Sequence, residues 1–526
     1  MKIVNKMNIL MTILLVIFMV SCGTTDSNRS RPTPIPSTGT ISTKTSPADY
    51  DLDYSYFKDN NLPIPNFFRG NSQEYLVPIK DVLDGYDFFD KYDEAKALQF
   101  YKDTTVRGVG DNSFYWRWKV TFTDAEFNST VTNGLLFLSK NRSRDIYMLS
   151  GKNWVNKSFS RNDIGEIKDV EIAARGKSGI VTYIVITTNT NTFLLLREIS
   201  VRRLFAPNKS SANTSRDINI YGAKGGQGKY SDSPFRTNVS ILPSGYCAIE
   251  KNNGNVTIYG GGNGHGVGMS QYAAFDLTAN NNYTYKDVLH RYYPNTKLVN
   301  MYKLEGVTKN IRVGISNSGG GLSHNAVNLS STGKITIVGN GFKIDVPVNT
   351  NVNAKIVSGK LNIAVGGKHR VATANPVTIT TSGKFIVLND VKKSHTRNPS
   401  YRGKIELKAS GSAVRVINEL YIEDYLKQVL PSEMPKTFGV EALKAQAVAA
   451  RTYALSDFLK YRYKNEGFHV KDTVESQVYN NQLENDESDQ AIDDTIGEVL
   501  INNEKPADAK YFSTSSGFIE AANYVW

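Results

Sequence analysis

One carboxylate, Glu433, lies in the run PSEMP (431–435) between two stretches with helical spacing. A carboxylic acid so placed can protonate the oxygen of a glycosidic bond, provided it keeps its proton near neutral pH. The preceding helix would point its negative end at it, and Met434 and the prolines would withhold water. Both effects favour the neutral acid and raise its pKa. The rival reading is a solvated turn glutamate, since glutamates mostly lie at the surface.

Two helices must hold that turn. Leu420, Ile422, Leu426, Val429 and Leu430 recur at a rough three-to-four spacing, and Pro431 and Pro435 bracket the place where the chain must break. Beyond it, Val440, Leu443, Ala447, Ala450 and Ala454 form a narrow apolar stripe of small residues, suited to close packing.

The run LYIEDYLKQVLPSEMP followed by EALKAQAVAARTYA resembles the core signature of the SpoIID (stage II sporulation protein D)/LytB family, whose members are lytic transglycosylases acting on peptidoglycan. The resemblance makes Glu433 the catalytic acid/base and maps further motif residues to Lys444, Gln446 and Arg451. Lys444 and Arg451 are seven apart and share a helix face, so they can line one cleft wall, whereas Gln446 points away and braces the helix as structural support.

A second motif lies in Val256 to Leu298, where a strand runs into the glycine-rich turn GGGNGHGVGMSQ and two helical segments follow. It lacks the Gly-Lys-Ser/Thr ending of a phosphate loop and any Rossmann acidic residue. As structure it reads as a tight strand-to-helix corner whose glycines admit positive φ. GHGVGMSQYAA with HRYYPNTKL is also similar to the closing motif of the SpoIID domain, which implies that His265, Ser270 and Gln271 sit near the glycan groove; a purely structural His265 is the alternative.

The order of these pieces is inverted relative to the family, in which the EMP motif comes first. IRVGIS (311–316) resembles the family's opening strand, and the segment 495–526 resembles its middle, where this chain stops. The continuation expected after it, ending in W-x-VTFTDAE, stands at Trp118 to Glu126. Residues 306–526 followed by about 55–300 would make one ordinary domain, so a circular permutation is expected, with two truncated domains as the rival.

Length, charge and the N-terminus set the frame. The 526 residues allow two to four cores, and Tyr and Phe abundance (29 and 23) favours a strand-rich fold. The formal net charge of +12 suits nucleic acid, an anionic membrane or an acidic wall polymer; without an arginine-rich run, zinc-finger spacing or helix-turn-helix signal, no nucleic acid is expected. MKIVNK, the fourteen apolar-rich residues Met7 to Val20 and Ser21-Cys22 resemble a lipoprotein signal with Cys22 as the lipidated residue, the alternative being an uncleaved anchor. Cys247 then stands alone and reads as a small buried hydrophobe.

The expected organisation is a lipoprotein signal peptide (1–21), a Ser/Thr/Pro-rich tether (22–49), a C-terminal-type half (50–300) and an N-terminal-type half (306–526). The fold class is α+β, a SpoIID-like domain with a helical catalytic core and β-rich subdomains. Alternating runs such as WRWKVTF, IVTYIVITT, KITIVGN and KIELKAS read as strands. FHVKDTVESQVYNN resembles a segment that binds zinc through cysteines in some members. Here His469, Gln477 and Tyr479 remain, but Val470, Lys471 and Ser476 occupy the cysteine positions, so no metal and no cofactor is expected. The resemblance places Gln477 at the substrate and Tyr479 in support. Tyr511 of YFSTSSG matches a tyrosine close to the family's active site, or is a core aromatic; Phe512 and Ser513 follow where some members have histidine.

The function implied is cleavage of the MurNAc–GlcNAc bond of peptidoglycan, with preference for strands stripped of stem peptides, to 1,6-anhydro ends; the alternative is a non-catalytic peptidoglycan-binding lipoprotein using the same groove. The implied partners are glycan strands, the membrane through an N-terminal lipid, and an amidase acting upstream, with an extracytoplasmic location facing wall or periplasm.

Overall fold

In the segment 440–460 alanine recurs on every side, not only along one stripe, and the helix it forms (Val440–Lys460) is accordingly buried almost all round from Ala442 to Asp457. The expected narrow stripe is thus a correction: the helix is wrapped rather than docked, because small side chains let neighbours approach from all directions. Helices Ile422–Glu433, Gln271–Asn280, Tyr285–Tyr292 and Asp486–Asp494 and strand Glu498–Asn502 pack around it. The computed structural model describes residues 52–65, 72–83, 93–307, 309–393, 396–480 and 482–526. The expected signal peptide, Cys22 and the whole of the expected tether lie outside them. No helix among the described residues is long and apolar enough to cross a membrane.

The helix before the turn runs through Pro431 to Glu433 instead of breaking at the proline. The missing Pro431 N–H costs one i→i−4 bond, to the Lys427 carbonyl, while the next carbonyl, of Gln428, accepts from Ser432 Oγ at 2.9 Å. The break falls at Met434, in extended conformation, followed by a 3₁₀ turn (Lys436–Phe438) and Gly439 at φ +85°.

Residues 310–421 supply most of two antiparallel-rich sheets. One has seven strands, in the order Phe342–Val346, Ile335–Gly339, Val377–Thr381, Lys404–Ser410, Ala413–Tyr421, Asn310–Ile315 and Val470–Lys471. The other has six, in the order Lys368–Thr373, Lys360–Val365, Val352–Val357, Ala326–Ser330, Ile386–Leu388 and Ser400–Tyr401. Their inward residues, Ile337, Ile379 and Val416 from one and Leu329, Ala354 and Ile363 from the other, share one core that continues to the two signature helices. Nearer the N-terminus, the expected strands Arg117–Thr123 and Val181–Thr188 form, each flanked on both sides in a four-stranded and a five-stranded sheet, the second buried on both faces along nearly its whole length. Thr123 and Glu126 form a capping box that starts helix Asp124–Asn141.

Among the described residues, strands of the 52–300 part pair with strands of the 306–526 part at three places. Met269–Ser270 lies parallel to Tyr511–Phe512, Ile79–Lys80 antiparallel to Phe518–Ile519, and Lys297–Asn300 antiparallel to Glu498–Asn502. The first of these joins the glycine corner to the C-terminal segment, and it requires Gly268. At φ +76° an added Cβ there would overlap the Lys510 carbonyl. Gly306 has a similar φ of +72° with open space around it. Gly268→Ala should therefore lower stability by more than Gly306→Ala, by about 1–3 kcal/mol beyond it, in urea unfolding; equal losses would mean the close approach matters little.

Candidate active site

Glu433 ends its helix, half-buried, with Met434 and Leu430 fully buried beside it. Its Oε1 accepts from the Val478 backbone N–H at 2.7 Å, and the Tyr511 hydroxyl also hydrogen-bonds its carboxyl. Burial pushes its pKa from the ordinary carboxylate range up to about 7, against the lowering effect of those two hydrogen bonds. No charged neighbour enters that balance, so withdrawal from water decides it. The group is thus divided between acid and carboxylate at neutral pH, a state in which a carboxyl can either give or take a proton.

Tyr511 is oriented from behind. Gln477 Nε2 donates to its hydroxyl oxygen at 3.1 Å and to the Ala450 carbonyl at 3.1 Å, while Gln477 Oε1 accepts from the Tyr425 hydroxyl at 3.0 Å. With its oxygen accepting from the amide, the Tyr511 O–H is left to donate toward Glu433. Burial, and next the Glu433 charge, hold the phenol well above its usual pKa, so it stays a donor. Gln477 is fully enclosed and reaches no substrate: its expected binding role becomes one of positioning. Tyr479, also enclosed, donates to Asn418 Oδ1 at 2.7 Å and packs on Tyr425 at 5.0 Å.

The glycine-corner residues come to the same place from the opposite side. Gln271 Nε2 donates to the Glu433 main-chain carbonyl at 3.1 Å and to Gln446 Oε1 at 3.3 Å. Gln446 is wholly buried against Gln271, where it holds the helix to its neighbour. Ser270 is wholly buried too: its Oγ accepts from the N–H groups of Ala273 (3.3 Å) and Ser515 (3.1 Å), which uses it as a helix cap. His265 Nδ1 accepts from the Val267 N–H at 3.2 Å, so Nε2 carries the proton and donates to the Tyr511 carbonyl at 3.0 Å. Burial, with Lys510 and Arg202 nearby, pushes its pKa down to about 3 and keeps it neutral. His265, Ser270 and Gln271, expected near the glycan groove, thus lie against the segments that carry Tyr511 and Glu433, and these hydrogen bonds brace those segments.

Lys444 and Arg451 do not form a cleft wall. Arg451 is completely buried; its Nε and Nη2 grip Glu423 at 2.7–3.1 Å and its Nη1 donates to the Glu498 carbonyl at 3.1 Å. Lys444 pairs with Glu441 (3.1 Å) and Asp494 (3.0 Å) at the helix surface. The shared face was read correctly from the spacing, but what it meets is protein. Two contributors are invisible to residue-type reasoning: a backbone N–H (Val478), which any residue but proline supplies, and Glu423, whose only signal is that a buried arginine needs a carboxylate partner. Arg451→Ala should cost about 3–5 kcal/mol in urea unfolding because it strands a buried carboxylate. Lys444→Ala should cost under about 1 kcal/mol. A near-neutral Arg451→Ala would contradict this account.

Comparison with known proteins agrees with the helices at the centre. Residues 410–501 match the family model SpoIID, stage II sporulation protein. The chain is 36% identical over 170 residues to an uncharacterized protein of Brachyspira hyodysenteriae, covering 32% of this chain and 42% of that protein. It is 42% identical over 101 residues to the amidase enhancer of Bacillus subtilis (19% and 13%). It is 33% identical over 156 residues to stage II sporulation protein D of Bacillus subtilis (26% and 46%). The chain spans less than half the length of these curated relatives.

Proposed function

We propose that this chain, whose residues 410–501 match the SpoIID family model, acts on the bacterial cell wall as a lytic transglycosylase, with Glu433 as general acid and base. The observation that carries the proposal is the carboxyl of Glu433, raised to about 7 by burial and held by one backbone N–H and one phenol. In the first step the protonated carboxyl gives its proton to the glycosidic oxygen as the bond from the MurNAc anomeric carbon breaks. The carboxylate left behind is stabilised by the Val478 N–H and the Tyr511 hydroxyl. It then takes the proton of the same sugar's 6-hydroxyl, whose oxygen bonds to the anomeric carbon and closes a 1,6-anhydro ring. No water is consumed, and because the nucleophile belongs to the substrate, one carboxylate suffices where most glycosidases need two.

Digestion of denuded glycan strands tests this. Wild type should release anhydro-ended fragments, with a rate that falls as pH rises through about 7, where the acid loses its proton. Glu433→Gln should lower the rate by at least about a thousandfold, and Tyr511→Phe should move the alkaline limb to higher pH, because it removes a hydrogen bond that favours the carboxylate. Binding of strands without any anhydro product would instead favour a non-catalytic glycan-binding role in the same groove.

We also propose that the chain is a circular permutation of the family domain. Support comes from the three strand pairings between its halves and from further backbone contacts between them: the Ala522 N–H donates to the Leu76 carbonyl at 3.2 Å, and the Met301 N–H to the Gly497 carbonyl at 2.7 Å. A rearranged chain, 306–526 followed through a short linker by 52–300, should fold cooperatively with a Tm within about 10 °C of the natural order, since only the loop connections differ. Aggregation of the rearranged protein, with each half soluble alone, would favour two independent pieces.

A further inference from the structure

From Val346 to Asn389 the chain holds Lys355, Lys360, Lys368, Arg370 and Lys384, together with His369, and not one Asp or Glu. Its part from Val352 to Thr373 forms the far edge of the six-stranded sheet. Strand Val352–Val357 pairs with Lys360–Val365, which pairs with the edge strand Lys368–Thr373. Val352, Ala354, Leu361, Ile363 and Val365 are buried, so alternation turns Asn353, Lys355, Lys360 and Asn362 to the outer face. Register sets Lys355 opposite Asn362 and Asn362 opposite Ala372, and an irregularity between Ile363 and Ala364 brings His369 opposite Ala364, with Arg370 beside it. Lys355, Lys360, Lys368, His369 and Arg370 are all exposed. Elsewhere on these two sheets Lys334 pairs with Asp345 and Lys384 with Glu484, whereas Lys355, Lys360, Lys368 and Arg370 have no ion-pair partner among the described residues. Clustered cations without counter-charges repel one another and cost folding stability, so an uncompensated face of this kind is better explained by a partner than by packing.

We propose that this face is a docking surface for an extended glycan strand whose sugars bear free carboxylates. This rests on the glycan-cleaving reading of the site. Two features argue for a hydroxylated chain over a lipid surface. The cations are interleaved with amides (Asn353, Asn362) able to meet hydroxyl groups, and the only large exposed apolar residue on these three strands is Val357, too little to anchor in a bilayer. The opposite edge of the same sheet, Ser400–Tyr401, is fastened to the site: the Ser400 carbonyl accepts from Gln428 Nε2 (2.8 Å), on the helix that ends in Glu433, and from Asn480 Nδ2 (2.6 Å). At about 4.8 Å per strand, the Lys355 strand lies three spacings, about 14 Å, and the edge strand five spacings, about 24 Å, from that attachment. A strand of several sugars can span that reach, so the face would hold the chain while Glu433 cuts it.

The test uses the Glu433→Gln protein, which binds without cleaving, and compares denuded glycan strands with the same strands after their carboxylates are amidated. Tighter binding to the charged strands is expected, weakening with added salt, and Lys355→Glu/Lys360→Glu/Arg370→Glu should lower that affinity about tenfold or more while leaving the amidated strands little affected. Equal affinity for charged and amidated strands, no loss in the triple variant, or tighter binding to a phosphodiester polymer or to anionic phospholipid vesicles would overturn the proposal. If wild type shows no anhydro product but the charge-dependent binding persists, the cleavage reading fails and the docking surface stands.

Discussion

Keeping water from one carboxyl group while leaving it reachable is the constraint around which the rest of the structure is arranged. A carboxylate prefers water, and only a half-buried position shifts Glu433 far enough to share its proton near neutrality. The walls are supplied by the end of its own helix, by the loop carrying Val478 and by the segment carrying Tyr511. The Val478 loop and the Tyr511 segment each bring a donor rather than a counter-charge. A lysine or arginine at this place would hold the proton off and cancel the effect of burial; a backbone amide and a phenol steady the carboxylate without abolishing the acid.

That arrangement is only as exact as the scaffold behind it, and the scaffold relies on close packing of small residues. The helix Val440–Lys460 has neighbours on all sides because alanines leave room for them, and the same tightness leaves Arg451 no route to solvent. Its charge is matched by Glu423, one helix away, and the pair holds the two signature helices in fixed relation with Gly497, whose N–H also donates to Glu423 at 3.0 Å. The arginine of the signature therefore serves the site at one remove, by fixing the helix that ends in Glu433.

Polar groups of the glycine corner do the corresponding work on the far side. His265 and Ser270 tie down residues 511–515, and Gln271 reaches the Glu433 carbonyl, a contact between residues 162 positions apart. Positive φ at Gly264 and Gly268 lets that corner approach Phe512 and the Lys510 carbonyl more closely than a residue with a Cβ could. Two motifs distant in the chain are thus two sides of one brace, and both are needed to hold the phenol and the carboxyl in register.

Period and residue type were enough to read the strands of the 310–421 sheets, the two helices around Glu433 and the effect of burial on its proton, since those depend on local alternation and on what a few neighbours do to water. The roles that the resemblance implied for Lys444, Arg451, His265 and Gln477 at the substrate did not foresee their protein partners. Spacing fixes the direction in which a side chain leaves its helix or turn, but only the packing of distant segments fixes whether solvent, substrate or another buried group waits there. Glu423 for Arg451, the Tyr511 carbonyl for His265 and the Val478 amide for Glu433 are all partners of this second kind. They come from chain segments brought close by the closing of one core, a long-range property that no local pattern of residues encodes.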